Sequence, residues 1–103
     1  MNNEELQLEI FRNTNKVTSQ QSLANELGYS VGKINYVIRA LIEKGMIKSE
    51  KFMNSKNRLQ YKYLLTEEGI QQKIALTEKF IKRKKAEYDQ LQSELEILQR
   101  GGN

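Results

Sequence analysis

The sequence predicts a mainly helical α+β protein with three short helices, one small β-hairpin and a long C-terminal helix. Three observations predict this class. Apolar residues recur every three or four positions along most of the chain, and one short stretch alternates apolar with polar residues. None of the 103 residues is a proline, so nothing interrupts the last periodic run. We expect one unit at residues 1 to 66 and a projecting helix at residues 67 to 103.

The first predicted helix covers residues 4 to 13. Leu6, Ile10 and Phe11 share one face of it, which is typical of a short amphipathic helix. Residues 14 to 18 then predict a turn.

A second predicted helix begins near Gln20 and runs to Leu27, and Gly28 follows it. Thr18 or Ser19 can cap its start, because a side-chain hydroxyl satisfies a backbone amide that has no partner within the helix. Gly28 suits the positive φ with which a chain often leaves a helix.

The third predicted helix follows the cap residue Ser30 and stops at Gly45. Spacings of three and four residues predict one buried stripe, made of Val31, Ile34, Val37, Ile38 and Leu41.

The runs at residues 46 to 52 and 59 to 65 predict the two strands of the hairpin, joined by a polar and basic loop. Alternation with Gln60, Lys62 and Leu64 predicts one packed face on the second strand, formed by Leu59, Tyr61, Tyr63 and Leu65.

The last predicted helix begins after the cap residue Thr66 and continues to about Gln99. Its length of roughly 50 Å at 1.5 Å per residue exceeds the width of so small a domain. A heptad pattern predicts one apolar stripe along it, formed by Ile70, Ile74, Thr77, Ile81, Lys84, Tyr88, Leu91, Leu95 and Leu98.

We expect the first half of this stripe to pack on the domain and the second half, from about Tyr88, to pair with a second copy of the chain. Lys84 would face its own copy in a parallel pair, so antiparallel and splayed arrangements are both open. The residues predicted to form the homodimer are Ile81, Tyr88, Leu91, Leu95 and Leu98.

Composition argues against catalysis and against a metal or cofactor site. The chain has no cysteine and no histidine, and Asp89 is its only aspartate. A thiolate nucleophile, the usual general bases and the usual metal ligands are therefore missing together. The N-terminus does not resemble a signal peptide and no segment is long and apolar enough to cross a membrane. These features predict a cytoplasmic protein without a membrane partner.

The positive charge of the chain is concentrated in its middle third. The net charge is only +4, yet residues 29 to 63 hold eight lysines and arginines against Glu43 and Glu50. Such a local surface attracts polyanions.

The second and third helices also have the spacing of a helix-turn-helix. Ala24 lies where the two helices would cross, and Gly28 follows four residues later in the turn. Apolar residues that would fix the angle between the helices are Leu23, Leu27, Ile34 and Val37. The second helix of such a unit enters the major groove of DNA.

The polar side of the third helix, the basic hairpin tip and the start of the second helix supply the predicted DNA contacts. Arg39 can donate to guanine or phosphate, Asn35 can pair with adenine, and Gly32 permits a close approach. The hairpin would be the wing of a winged helix, reaching phosphates or the minor groove. The predicted DNA-binding residues are Gln20, Ser30, Gly32, Lys33, Asn35, Tyr36, Arg39, Lys56, Asn57 and Arg58.

Three features have simpler interpretations. Tyr36 could pack against Tyr29 or the wing, and the wing cations could serve solubility alone. The cluster "KRKK" at residues 82 to 85 could be a solvated face, a set of extra phosphate contacts or a separate nucleic-acid patch, and we favour the solvated face.

The stretches "SLANELGYSVGKINYVIRALIEKGMI", "NSKNR" and "LLTEEG", over residues 17 to 70, resemble the MarR family of bacterial and archaeal transcriptional regulators. The "VGKINY" segment and the long last helix are similar to a short MarR subgroup associated with exopolysaccharide gene clusters. The resemblance implies a homodimeric repressor or activator on a pseudo-palindromic double-stranded operator.

Typical MarR members build the dimer interface and an adjoining effector pocket from both termini, whereas the N-terminal helix here is brief. The sequence does not identify a small-molecule effector. The alternative function is a winged-helix adaptor that recruits a coiled-coil protein without binding DNA.

Overall fold

The computed structural model describes residues 3–14 and 20–102. Its elements, in chain order, are α1 (Asn3–Arg12), α2 (Gln20–Leu27), α3 (Val31–Glu43), β1 (Ile47–Met53), β2 (Leu59–Leu65) and α4 (Glu67–Gln99). This arrangement confirms the predicted fold class, with each helix and strand near its expected place. The predicted cap at Thr18 or Ser19 lies outside the described residues.

One hydrophobic core lies between the short helices, the base of the hairpin and the first half of α4. Its largest fully buried side chains are Phe11, Leu6, Ile34, Ile38 and Leu41. Burying a side chain of this kind stabilises a fold by about 1.5 to 3 kcal/mol. The short α1 contacts both α3 and α4, so it closes this core.

The buried stripe of α3 is one residue shorter than the sequence predicts. Ile34, Val37, Ile38 and Leu41 are all at most 2% exposed. Val31 is instead 37% exposed, because it is the first residue of the helix and lies beside the exposed turn.

Both ends of α3 have the predicted signals. The Ser30 hydroxyl accepts a hydrogen bond of 3.1 Å from the backbone amide of Lys33. Gly45 has a φ of +73°, and the Met46 amide after it donates to the Leu41 carbonyl at 2.9 Å. The chain therefore leaves the helix through a left-handed residue.

The hairpin is a two-stranded antiparallel sheet in which Ile47 pairs with Leu65. Ile47 and Tyr63 are buried, whereas Leu59 is 55% and Tyr61 is 39% exposed. The prediction of a packed face along the whole second strand is therefore wrong for its first half. The base of the hairpin packs on the helices, whereas residues 55 to 59 at its far end are exposed.

The start of α4 is joined to the end of α3 by a compact set of polar contacts. The Thr66 hydroxyl accepts from the Gly69 amide at 3.1 Å and donates to the Gly45 carbonyl. The Thr66 amide donates to the Met46 carbonyl at 3.2 Å. Gly69 is buried so close to Met46 that a Cβ there would collide with the Met46 carbonyl oxygen. The backbone of α4 therefore lies directly against the α3–β1 connection.

Helix α4 packs on the domain with a different face from the predicted one. Leu76 is 2% exposed, and Phe80 is half-buried against the core. Each of these residues comes one position before a residue of the heptad stripe, so it lies about 100° away from the stripe around the helix. The expectation that the first half of the stripe packs on the domain is therefore wrong, since exposure reaches 49% at Ile70, 53% at Ile74 and 61% at Ile81.

The second half of α4 projects away from the domain. The molecule measures 67 × 27 × 23 Å, and every residue from 84 to 102 is exposed. In the described part of the chain, no helix has the length and apolar character needed to span a bilayer. The division into units at residues 1 to 66 and 67 to 103 stays a prediction.

Candidate nucleic-acid interface

Packing between α2 and α3 sets the direction in which α3 points. Leu23 and Ala24 of α2 are each 3% exposed in the core with Ile34 and Val37 of α3. The small Ala24 side chain suits the point where two helices approach closely. Gly28, with a φ of +76°, makes the turn between the helices. This unit therefore has the interhelical contacts expected of a helix-turn-helix.

The outer face of α3 presents most of the predicted contact residues to solvent. Gly32, Tyr36 and Arg39 are exposed, and Tyr36 reaches 65%. Most of the Tyr36 side chain therefore faces solvent, and the Lys33 ammonium lies 5.9 Å from the centroid of its ring. The face can therefore present a cation, an aromatic ring and a guanidinium to a partner.

The same face carries an acid at its far end, Glu43, which the sequence analysis counted in the charge of the middle third but did not place on this face. Glu43 shares a shallow surface pocket with Gly32, Tyr36 and Arg39. Because Glu43 comes in the last turn of α3, it limits the acid-free surface to the first two and a half turns, roughly, of the helix.

The hairpin tip is organised by Asn54, which sequence reasoning did not single out. Its side-chain oxygen accepts hydrogen bonds of 2.9 Å from the amides of Lys56 and Arg58. Asn57 has a φ of +59°, a left-handed conformation that asparagine tolerates better than most residues. The sequence did contain a signal for this turn, because Asn54 precedes Lys56 by two residues and Arg58 by four.

A groove of about 620 Å³ lies between α3 and the hairpin. It brings together four of the predicted residues, namely Gln20, Asn35, Arg39 and Arg58. Ser49, Gln60 and Tyr61 also line it, and the sequence analysis missed them because only the strand register places them there. Lys56 and Asn57 lie outside the groove at the exposed tip, and Ser30 lies outside it at the start of α3.

A chain of polar side chains crosses the floor of this groove. The Asn35 amide donates to the Gln20 side-chain oxygen at 2.9 Å. The Gln20 side-chain amide in turn donates a hydrogen bond to the Tyr63 hydroxyl at 3.5 Å. These contacts connect α3, α2 and β2, so they fix the half-buried amide of Asn35 relative to the wing.

Within residues 3–14 and 20–102, no three histidine, cysteine, aspartate or glutamate side chains are placed to hold a metal ion. The predicted dimerisation residues are on α4 and do not line the groove. Each of them is exposed, over a range of 49% to 63%: Ile81, Tyr88, Leu91, Leu95 and Leu98.

A helix-turn-helix followed by a two-stranded hairpin beside its second helix defines the winged helix-turn-helix class. Residues 8–48 match the family model for winged helix-turn-helix DNA-binding domains. No curated protein sequence matches the chain significantly.

Solved structures share the fold over nearly the whole chain. One is MepR, a transcription regulator of the Staphylococcus aureus multidrug efflux pump MepA, with a TM-score of 0.61, 18% identity, and coverage of 98% of this chain and 78% of that one. The S. aureus MepR–DNA complex gives a TM-score of 0.62, 18% identity, and coverage of 98% and 77%.

ZitR, a zinc-responsive MarR family member from Lactococcus lactis, gives a TM-score of 0.53, 20% identity, and coverage of 98% and 75%. The predicted resemblance to MarR-type winged-helix regulators is therefore confirmed in the fold. Its narrower assignment to the exopolysaccharide-associated subgroup stays a prediction.

Proposed function

We propose that this chain is a transcriptional regulator of the MarR type that binds double-stranded DNA as a homodimer. Helix α3 enters the major groove, and the hairpin acts as a wing on the backbone or in the minor groove. The protein works in the cytoplasm, where its operator is.

The observation that carries the proposal is the groove shared by α3 and the wing. Arg39 of α3 and Arg58 of the wing line it together, without an acidic side chain between them. A duplex offers phosphates on both sides of a major groove, so cations on two neighbouring elements can contact one binding site. The likeness to a regulator solved with DNA supports this interpretation.

Roles divide by position on this surface. Asn35 and Arg39 lie on the helix and contact base edges, where an amide recognises adenine and a guanidinium recognises guanine. Lys56 lies at the wing tip and contacts phosphate. Gln20 positions Asn35 through the hydrogen bond between their side chains.

Fluorescence anisotropy with a labelled duplex library tests the proposal at about 50 and about 200 mM salt. We expect affinity to fall steeply with salt, and Arg39→Ala to bind more weakly than the parent chain. Arg100→Ala is the matched control, since it removes one exposed positive charge at the far end of α4. Absence of binding at low salt, or equal losses in the two variants, would contradict the proposal.

The exposed apolar stripe of α4 favours a second candidate, in which the chain is an adaptor for a different coiled-coil protein. Sedimentation of the purified chain separates the two functions. A dimer that binds DNA supports the regulator, and a monomer that ignores DNA but associates with a helical partner supports the adaptor.

A further inference from the structure

The heptad stripe of α4, which we call the α4 seam, is uncovered along its whole length. Its seven apolar members are 49% to 63% exposed. A stripe of this length is unfavourable in water and calls for a partner. The seam consists of Ile74, Ile81, Tyr88 and Leu95 at heptad positions a, and Ile70, Thr77, Lys84, Leu91 and Leu98 at positions d.

We infer that the seam pairs with the seam of a second copy in the antiparallel direction, with Ile81 of each copy opposite Lys84 of the other. This inference rests on the proposed homodimer and specifies its geometry. It follows from the polar residues within the seam and from the charges on its two flanks.

Parallel pairing in register places identical residues opposite each other. Lys84 would then face Lys84 and Thr77 would face Thr77 in the middle of the interface. Two ammonium groups at a central position destabilise a coiled coil. Antiparallel pairing sets d residues against a residues, and every a residue of this seam is apolar. In the inferred register Leu98 alone extends past the seam, since it lies opposite Glu67 at the start of α4.

Flanking charges select among the antiparallel registers. In an antiparallel pair, g positions meet g positions and e positions meet e positions. With Ile81 opposite Lys84, Lys73 meets Glu94 and Glu78 meets Lys85. Each pair occurs twice in the dimer, and all four contacts join opposite charges.

The registers displaced towards the C-terminus by one and two heptads are electrostatically worse. With Lys84 opposite Tyr88, Glu87 meets its own copy and Lys85 meets its own copy. With Lys84 opposite Leu95, Glu87 meets Glu94 and no opposite charges meet. The displacement of one heptad towards the N-terminus sets Lys73 against Glu87, but it also sets Glu78 against itself and shortens the overlap. Among these four registers, only the inferred one brings together charged e and g residues that are all of opposite sign.

Lys84 can occupy its seam position in this register. Its side chain is 75% exposed, and its ammonium lies 3.5 Å from the Glu87 carboxylate of the same helix. The methylene stem can therefore cover the opposite Ile81 while the charged end stays in water.

The domain itself extends the surface that a second copy would cover. A groove of about 790 Å³ lies between α1, the α2–α3 turn and α4. Its lining joins Leu8 and Leu27 of the domain to Thr77 and Ile81 of the seam. In the inferred register, Tyr88 of the second copy lies opposite Thr77, at the edge of this groove. A large aromatic side chain would there cover Ile81 and the apolar part of a groove whose rim also carries charged side chains, among them Glu5, Glu9 and Arg12.

Disulfide trapping tests the register. Because the chain has no cysteine of its own, only the introduced cysteines can form a crosslink. Ile74→Cys and Leu91→Cys are made separately, one of them carrying a tag. We expect no crosslink within either variant and a crosslinked heterodimer when the two are mixed under oxidising conditions. Ile74→Cys mixed with Leu98→Cys is the control for the register with Lys84 opposite Tyr88, and it should crosslink far less.

Charge reversal provides a second test. Glu78→Lys and Lys85→Glu should each weaken dimerisation on the order of tenfold. The double variant should recover the parental dissociation constant, because it restores opposite charges in both copies. In a parallel pair Glu78 would meet Lys73, so the double variant would not recover.

The outcomes separate this inference from the proposed homodimer. If the parent chain sediments as a monomer at all accessible concentrations, both the homodimer and the pairing are wrong. If it sediments as a dimer but each cysteine variant crosslinks with itself, the homodimer stands and the antiparallel register is overturned.

Discussion

The side-chain amide of Asn35 donates a 2.9 Å hydrogen bond to the side-chain oxygen of Gln20. An asparagine amide nitrogen carries two hydrogens, so one of them stays free for a base. The contact holds the amide in one orientation, and in the proposed DNA complex this preorganisation would lower the entropy lost on binding. The continuation from Gln20 to Tyr63 extends the same constraint to the wing strand.

Asn35→Ala should relax base preference at one position of the operator. The loss of a bidentate contact to adenine lowers discrimination by about 1 to 3 kcal/mol. Affinity measurements on the selected operator and on its single-base variants check this prediction. Asn25→Ala is the matched control, because Asn25 is an exposed asparagine on α2 whose side-chain oxygen accepts a hydrogen bond from Gln21. A uniform loss at every base position would show that Asn35 does not read sequence.

Lys56→Ala should weaken binding to all sequences alike. Removal of one phosphate contact reduces the slope of log affinity against log salt by about 1. Arg39→Ala should instead change the order of preference among operators, since Arg39 lies on α3 and lines the groove. Binding isotherms for several duplexes at a series of salt concentrations compare the two variants. Identical behaviour would remove the proposed division between helix and wing.

Asn54→Ala should impair DNA binding through the shape of the wing. The substitution removes the acceptor for the amides of Lys56 and Arg58. Each lost hydrogen bond lowers the local stability of the turn by about 0.5 to 1.5 kcal/mol. Hydrogen exchange should rise at the tip, while the unfolding midpoint changes little because the tip is exposed. Asn54→Asp keeps the acceptor oxygen and should preserve the turn, which makes it the structural control.

Two glycine-to-alanine substitutions should have opposite effects on stability. Gly69→Ala should destabilise the fold by about 1 to 3 kcal/mol, because the new Cβ collides with the Met46 carbonyl. Gly32→Ala meets nothing within 4 Å and should stabilise α3 by up to about 1 kcal/mol. If Gly32 admits the duplex closely, the second variant should nevertheless bind DNA more weakly. Urea unfolding and duplex titration measure the two effects separately.

Thr66→Val should loosen the attachment of α4 to the domain. The hydroxyl caps α4 at Gly69 and donates to the Gly45 carbonyl, so its loss should cost about 1 to 2 kcal/mol. Thr66→Ser retains both hydrogen bonds and should stay close to the parent chain. Equal unfolding midpoints for valine and serine would mean that these contacts contribute nothing to stability.

Local signals were sufficient to predict most of the fold. Ser30 and Thr66 each occupy the cap position that a short polar side chain favours, and Gly28 and Gly45 have the positive φ expected at helix ends. These features depend on neighbouring residues alone, so a single sequence contains them.

Features that depend on tertiary packing were predicted less well. The heptad pattern of α4 identifies an apolar stripe but does not say whether the domain or a second chain covers it. Gly69, Leu76 and Phe80, one position away, contact the domain instead. The approach of the α4 backbone to Met46 decides this orientation. No periodicity in the sequence reports such a close contact.

In the candidate site, too, local features were predicted and features set by tertiary structure were missed. The sequence indicated Arg39 and Arg58 from charge and spacing, and the structure places both along one groove. Ser49 and Gln60 were missed because their position there depends on the register of β1 with β2. Contact of the site residues with DNA, and the dimer itself, stay predictions.

The projecting half of α4 has a consequence for how the cell would control this protein. A solitary helix of some twenty residues opens readily and is an easy substrate for proteases. If pairing shields this helix from proteases, the unpaired chain is degraded faster than the dimer. The concentration of the protein in the cell then determines how much of it escapes degradation. In the proposed regulator, gene dosage and turnover then set the amount of dimer available to bind DNA without any small molecule.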